Sequence, residues 1–130
     1  MGLNIRVIAP DKTVWDSSVD EVILPSSTGQ LGILSGHAPL LTALDIGVMR
    51  LKTSNDWTSF VLMEGFAEIE NNLVTVLCNG AEEGKNINLS DAQAELEKLT
   101  AAVDDATTAK QKIDASIELR KAKARVQAVA

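Results

Sequence analysis

The chain has 130 residues and a formal net charge of −6, with 45% hydrophobic, 23% charged and only 3% aromatic residues. The negative charge opposes non-specific attraction to nucleic-acid phosphates or anionic lipid, and the scarcity of rings disfavours binding by base stacking. A single cysteine excludes an intrachain disulfide or a thiolate-rich metal site within one chain, and no apolar run approaches the ~20 residues that span a bilayer.

The N-terminus, MGLNIRVIAP, has neither the apolar core nor the cleavage site of a secretory leader. From there to Gly84 the chain reads as short strands separated by turn residues. The candidates are Leu3–Ala9, Thr13–Trp15, Val19–Leu24, Gln30–Leu34, Val48–Lys52, Trp57–Met63, Phe66–Glu70 and Leu73–Cys78. Phe66–Glu70 alternates apolar and polar residues, and Asn71-Asn72 suits a two-residue hairpin turn because Asn tolerates positive φ. Ser54-Asn55-Asp56 marks a second turn. Cys78, inside an apolar run, reads as a small buried hydrophobe. Glu64, Glu68 and Glu70 read as the solvent face of a strand. Many short strands at this spacing predict a small β-sandwich or barrel.

Within this region, Gly29–Gly47 is unusual. It holds four of the eight glycines, one of the three prolines and the only histidine, and its one charged residue is Asp45. Gly29, Gly32 and Gly36 permit positive φ or close backbone approach, and Pro39 biases Ala38 toward an extended conformation. Such a segment presents backbone and small side chains to a neighbour, which is the design of an interface.

Beyond Gly84 come 46 residues with neither glycine nor proline. Ser90-Asp91-Ala92-Gln93 fits a capping box, and Leu89, Ala92, Leu96, Leu99, Val103 and Ala106 recur at helical spacing. Ala115, Leu119, Ala122, Val126 and Val129 form a second stripe, broadened by Ile113 and Ile117. Thr108 to Gln111 is a second capping box. The pattern predicts an antiparallel helical hairpin. Residues 81–105 hold seven acids and two bases, residues 106–130 six bases and two acids, so opposed helices would attract each other weakly. The connection Asp104–Ala109 has no breaker. It reads either as a plain turn or as a joint that can straighten. The basic cluster Arg120, Lys121, Lys123, Arg125 reads equally as helix electrostatics and as a docking surface.

Catalytic chemistry finds little footing. His37 has only Asp45 as an acidic neighbour within ten residues. Ser35 is near, but no Gly-x-Ser-x-Gly elbow surrounds it, and Gly29-x-x-Gly32 lacks the Lys and Ser/Thr of a phosphate-binding loop.

The stretch GQLGILSGHAPLLTALDIGVMR, with APDKTVWD, GFAEIENN and VTVLCNGAEEG, resembles the epsilon-subunit family of F-type ATP synthases, nearest its cyanobacterial and plastid branch. The resemblance covers essentially the whole chain. It implies an α+β protein: a β-sandwich over residues 1–86 that binds the stalk and c-ring, then a regulatory helical hairpin over 87–130. It further implies a non-catalytic rotor subunit that turns with γ and the c-ring. Gly29, Gln30 and Leu31 match the c-ring-facing loop, and His37, Ala38 and Pro39 match a segment of the γ stalk interface. Arg120, Lys121, Lys123 and Arg125 match a cluster that meets an acidic segment of β when the hairpin extends toward the α and β subunits and blocks ATP hydrolysis. No cofactor or metal is implied, and membrane association at the stromal or cytoplasmic side of the thylakoid comes through partners. Some bacterial members bind ATP through Ile/Leu-Asp-x-x-Arg-Ala; here Leu89-Ser90-Asp91-Ala92-Gln93-Ala94 lacks that acid and the arginine, which argues against ATP binding. Two rival readings are a stand-alone sandwich adaptor with a coiled-coil tail and a small hydrolase using Ser35 and His37.

Overall fold

The computed structural model describes residues 2–129. These form strands β1 (Leu3–Ala9), β2 (Lys12–Val19), β3 (Glu21–Ser26), β4 (Gly29–Leu34), β5 (Leu40–Thr53), β6 (Asp56–Glu70), β7 (Leu73–Cys78) and β8 (Ala81–Glu83). A 3-10 turn at Gly84–Asn86 leads into helices α1 (Leu89–Asp105) and α2 (Ala109–Val129). The strands make one sheet in the order β2-β1-β7-β6-β5-β3-β4, with β8 paired to β6 beside this path. Every pairing is antiparallel except β1 with β7.

A continuous sheet becomes a sandwich because β5 and β6 are long enough to serve both layers. Along β5 the core-facing side chains change parity between Leu44 and Met49; along β6 they change between Leu62 and Ala67, yet all four lie in one buried core. The change falls where Glu64 takes φ 78° and Gly65 φ 159°. A corner of this kind lets a strand leave one layer and enter the next. Gly65 is required there by packing: a Cβ on it would press on the Leu77 carbonyl and sit 2.8 Å from the Cys78 Cα. The core is aliphatic, as the composition demands, with one aromatic pair, Trp15 edge-on to Phe60 at 5.2 Å.

Several sequence expectations need correction. Trp57–Met63 and Phe66–Glu70 are one strand, because the glycine between them bends β6 without ending its ladder. Val48–Lys52 is the second half of a strand that starts at Leu40. Thr13–Trp15 lengthens to Lys12–Val19, and Val19 belongs to β2, not β3. Gly29–Gly47 is mostly strand, with loop only at residues 35–39. Gly29 and Gly36 do take positive φ; Gly32 sits inside β4, where a Cβ would point into open space, and needs neither a special dihedral nor close approach. The Asn71-Asn72 turn forms as expected, with φ 50° and 62°, and Cys78 is buried.

The helices form the expected hairpin, but Ser90 is not the cap of α1. Asn88 precedes it and accepts the Asp91 N–H at 3.0 Å, so the helix begins earlier and Ser90 lies in its first turn. The second capping box is present: Gln111 N–H donates to Thr108 Oγ1 at 3.1 Å, and Thr108 N–H donates to Gln111 Oε1 at 3.3 Å. Among the described residues no ion pair joins α1 to α2; Arg125 pairs instead with Glu82 of β8.

Candidate functional site: the two outer faces of the sandwich

One outer face carries the hairpin. Val48, Val61 and Glu82 are cross-strand neighbours on β5, β6 and β8. Glu82 reaches α2 from this row, and Val61 is fully buried without belonging to the inner core. In the next row Arg50 pairs with Ser59, and the Arg50 Nη2 donates to the Gln127 carbonyl at 3.5 Å. Helix α2 therefore lies across the second half of β5 and the first half of β6, and α1 packs upon α2. Gly84 permits this approach, because a Cβ there would stand 3.1 Å from the Ser59 oxygen and 3.3 Å from the Ala128 oxygen. Arg125 forks onto Glu82, Nε to Oε1 at 2.9 Å and Nη2 to Oε2 at 2.8 Å. The Glu82 hydrogen bonds raise the already high arginine pKa, against a smaller opposing effect of burial.

The other outer face is bare. A row runs from Ala43 through Phe66 and Leu77 to Ile8, across β5, β6, β7 and β1. Leu41, two residues along from Ala43, lies on the same side. Leu41, Phe66 and Leu77 are 69%, 57% and 52% exposed. Phe66 and Leu77 border an open cleft of about 710 Å³ that Asp45 and Glu64 also line. An apolar centre with a charged rim has the anatomy of an interface. The sequence held a signal for it. Phe66 shares parity with Glu68 and Glu70, so an aromatic ring stands on the strand's polar face; the apolar residues facing inward are Ala67 and Ile69.

The three groups singled out from sequence are not assembled into one site. Gly29, Gln30 and Leu31 follow the β3–β4 turn, where the Ser26 hydroxyl donates to the Gly29 carbonyl at 2.6 Å. Gly29 and Gln30 are exposed, while Leu31 packs on the core. His37, Ala38 and Pro39 occupy the next loop, anchored by Gly36 N–H donating to Asn72 Oδ1 at 2.7 Å. The His37 Nδ1–H donates to the Ala38 carbonyl oxygen at 2.7 Å. Arg120, Lys121, Lys123 and Arg125 lie on α2. Lys121 pairs with Glu118 at 3.3 Å and Arg125 with Glu82, while among the described residues no ion pair engages Arg120 or Lys123. Glu82 is the partner that sequence reasoning misses, since its separation from Arg125 is 43 residues.

At the base of the hairpin a cleft of about 320 Å³ is lined by Glu82, Asp91, Glu95 and Arg125 among others. Three carboxylates face one committed guanidinium, an electrostatic setting that repels a polyphosphate. Among the described residues no group of His, Cys, Asp and Glu is arranged to hold a metal, and no helix is long and apolar enough to cross a membrane.

Residues 2–84 match the family model of the ATP synthase delta/epsilon chain, beta-sandwich domain. The chloroplastic ATP synthase epsilon chain of Emiliania huxleyi is 72% identical over 130 residues, covering 100% of both chains. That of the cyanobacterium Thermosynechococcus vestitus is 56% identical over 131 residues, covering 98% of this chain and 95% of its own. The fold recurs in a chain of the Euglena gracilis mitochondrial ATP synthase, with a TM-score of 0.84 at 18% identity over 94% of this chain and 78% of that one. The chain belongs to the ATP synthase epsilon-chain family, in its chloroplast and cyanobacterial branch.

Proposed function

We propose that the chain is a non-catalytic rotor subunit of a proton-translocating F-type ATP synthase. It couples c-ring rotation to the catalytic head through γ and restrains ATP hydrolysis through its helices. The observation that supports this reading is the difference between the two outer faces: the hairpin covers one, and the other leaves Leu41, Phe66 and Leu77 exposed. In this reading γ covers the bare face, and the 1–86 sandwich is the stalk-binding part. Gly29, Gln30 and Leu31 face the c-ring, and His37, Ala38 and Pro39 complete the stalk interface. Residues 87–130 form the regulator. On extension toward the α and β subunits, Arg120, Lys121, Lys123 and Arg125 meet an acidic segment of β. The complex sits at the thylakoid surface, on its stromal or cytoplasmic side, and this chain reaches the membrane only through partners.

Relatives named as epsilon chains support the reading along the full length at 72% identity. A stand-alone adaptor accounts for a sandwich and a tail, but not for identity of that extent. The test is hydrogen exchange on the chain alone and in complex with γ. Protection on binding is expected around residues 41–43, 66 and 77. Complex formation with no change there would refute the assignment of the face, and failure to co-purify with γ would refute the function.

A further inference from the structure

The hairpin is fastened to the sandwich by few polar groups, and one of them stands out. Among the described residues the Glu82–Arg125 fork is the only ion pair between a helix and the sheet. Other carboxylates also act on Arg125, namely Glu118 and Glu95. Those lie on α2 and α1 and belong to the hairpin itself. Only Glu82 belongs to the sandwich, placed on β8 two residues before Gly84, where the chain turns toward the helices.

The seam around the fork is shallow. Open clefts of about 580 and 500 Å³ flank the last turns of α2, one lined by Ala128 and Val129, the other by Gln127. The helix residues at full burial are the small Ala122 and Ala124. Little apolar area thus holds α2 down, and a two-point charged contact carries unusual weight. Both partners keep some solvent access, at 28% and 38% of the side chain for Arg125 and Glu82, which tempers the strength of the pair without removing its bidentate geometry.

We propose that Glu82 is the latch of the hairpin: it holds α2 on the sandwich through Arg125 and competes for that guanidinium with the acidic partner α2 meets when released. The latch rests on the reading of the hairpin as a regulator given above, and the two are separable by experiment. Glu82→Gln keeps the shape and removes the charge. In the isolated full-length chain, its amide exchange over residues 119–129 is expected to rise about three- to tenfold, the range for losing one partly exposed bidentate pair. Exchange in β1 and β7 should not change, which controls for unfolding. Arg125→Gln should open the hairpin equally, and the exchanged pair E82R/R125E should close it again. Unchanged exchange over 119–129 in both single variants overturns the latch.

A second arm adds each variant to an ATP synthase catalytic head lacking its epsilon chain. Glu82→Gln is expected to inhibit hydrolysis at severalfold lower concentration, whereas Arg125→Gln, open but without the guanidinium, should not. If Glu82→Gln opens the hairpin and neither it nor the unaltered chain inhibits, the latch stands and the inhibitory function falls. If both variants inhibit alike, competition for Arg125 is refuted.

Discussion

Replacing Phe66 with Ala is the most informative change to the bare face. The ring is 57% exposed in the free chain, so docking of a partner has just over half of its surface left to cover. Full burial of a Phe side chain is worth about 1.5–3 kcal/mol, and the uncovered share scales this to about 1–2 kcal/mol. At 1.4 kcal/mol per tenfold, the dissociation constant with γ should rise about five- to thirtyfold. Leu77, its direct cross-strand neighbour at 52% exposure, should give a similar loss, and the double variant less than the product because the two side chains touch the same partner surface. Fold stability should fall little, since the ring is not in the core; a cross-strand pair contributes about 0.2–1 kcal/mol. Calorimetric titration of γ and urea unfolding separate the effects. Affinity within twofold of the unaltered chain for the double variant would refute the assignment, as would a loss of affinity that tracks a loss of folding.

Gly65→Ala should destabilise the sandwich by about 2 kcal/mol or more, because the new methyl meets backbone atoms of β7 that are held by the ladder; a urea midpoint unchanged from the parent would show that the corner can relax. ATP should bind the isolated chain no more tightly than about 1 mM by titration calorimetry, given the acids around the hairpin's base and the absent arginine; micromolar affinity would contradict this. Burial pushes the Cys78 thiol above its usual pKa, so little thiolate forms near neutrality and aromatic disulfide reagents should react slowly until the chain unfolds. The linked effect on stability has a definite sign. Above the ordinary thiol pKa of about 8.5 the unfolded chain releases this proton and the folded chain retains it, so stability falls as pH rises through that range. A thiol that reacts in the native chain at the unfolded rate would contradict its burial.

Much of this architecture is legible in the sequence because local signals and tertiary needs agree. Leu3–Ala9 and Leu73–Cys78 can be read to the residue, since each is a short β-branched run between turn residues. The hairpin follows from a helical stripe uninterrupted by glycine or proline. What escapes depends on packing between distant segments. Nothing local distinguishes a glycine that ends a strand from Gly65, which bends one. Serine and glutamine three apart make Ser90 a strong local signal for the start of α1, yet Asn88 wins by lying two residues earlier on the incoming chain. Glu82 looks like one acid in an acidic stretch until the fold brings α2 across it. The loops around Gly29 and Gly36–Pro39 can be placed from their glycines and proline, whereas the apolar face shows locally only as Phe66 on the polar parity of β6, since it takes one or two residues from each of four strands.

If the sandwich attaches the chain to the rotor and the helices restrain hydrolysis, the two activities belong to separable parts of the chain. An ATP synthase head stripped of its epsilon chain should be given the intact chain, then residues 1–88 alone, while ATP hydrolysis is followed. Both forms should bind γ, and only the intact chain should slow hydrolysis. Binding by both with inhibition by neither, or inhibition by the sandwich alone, would contradict this division.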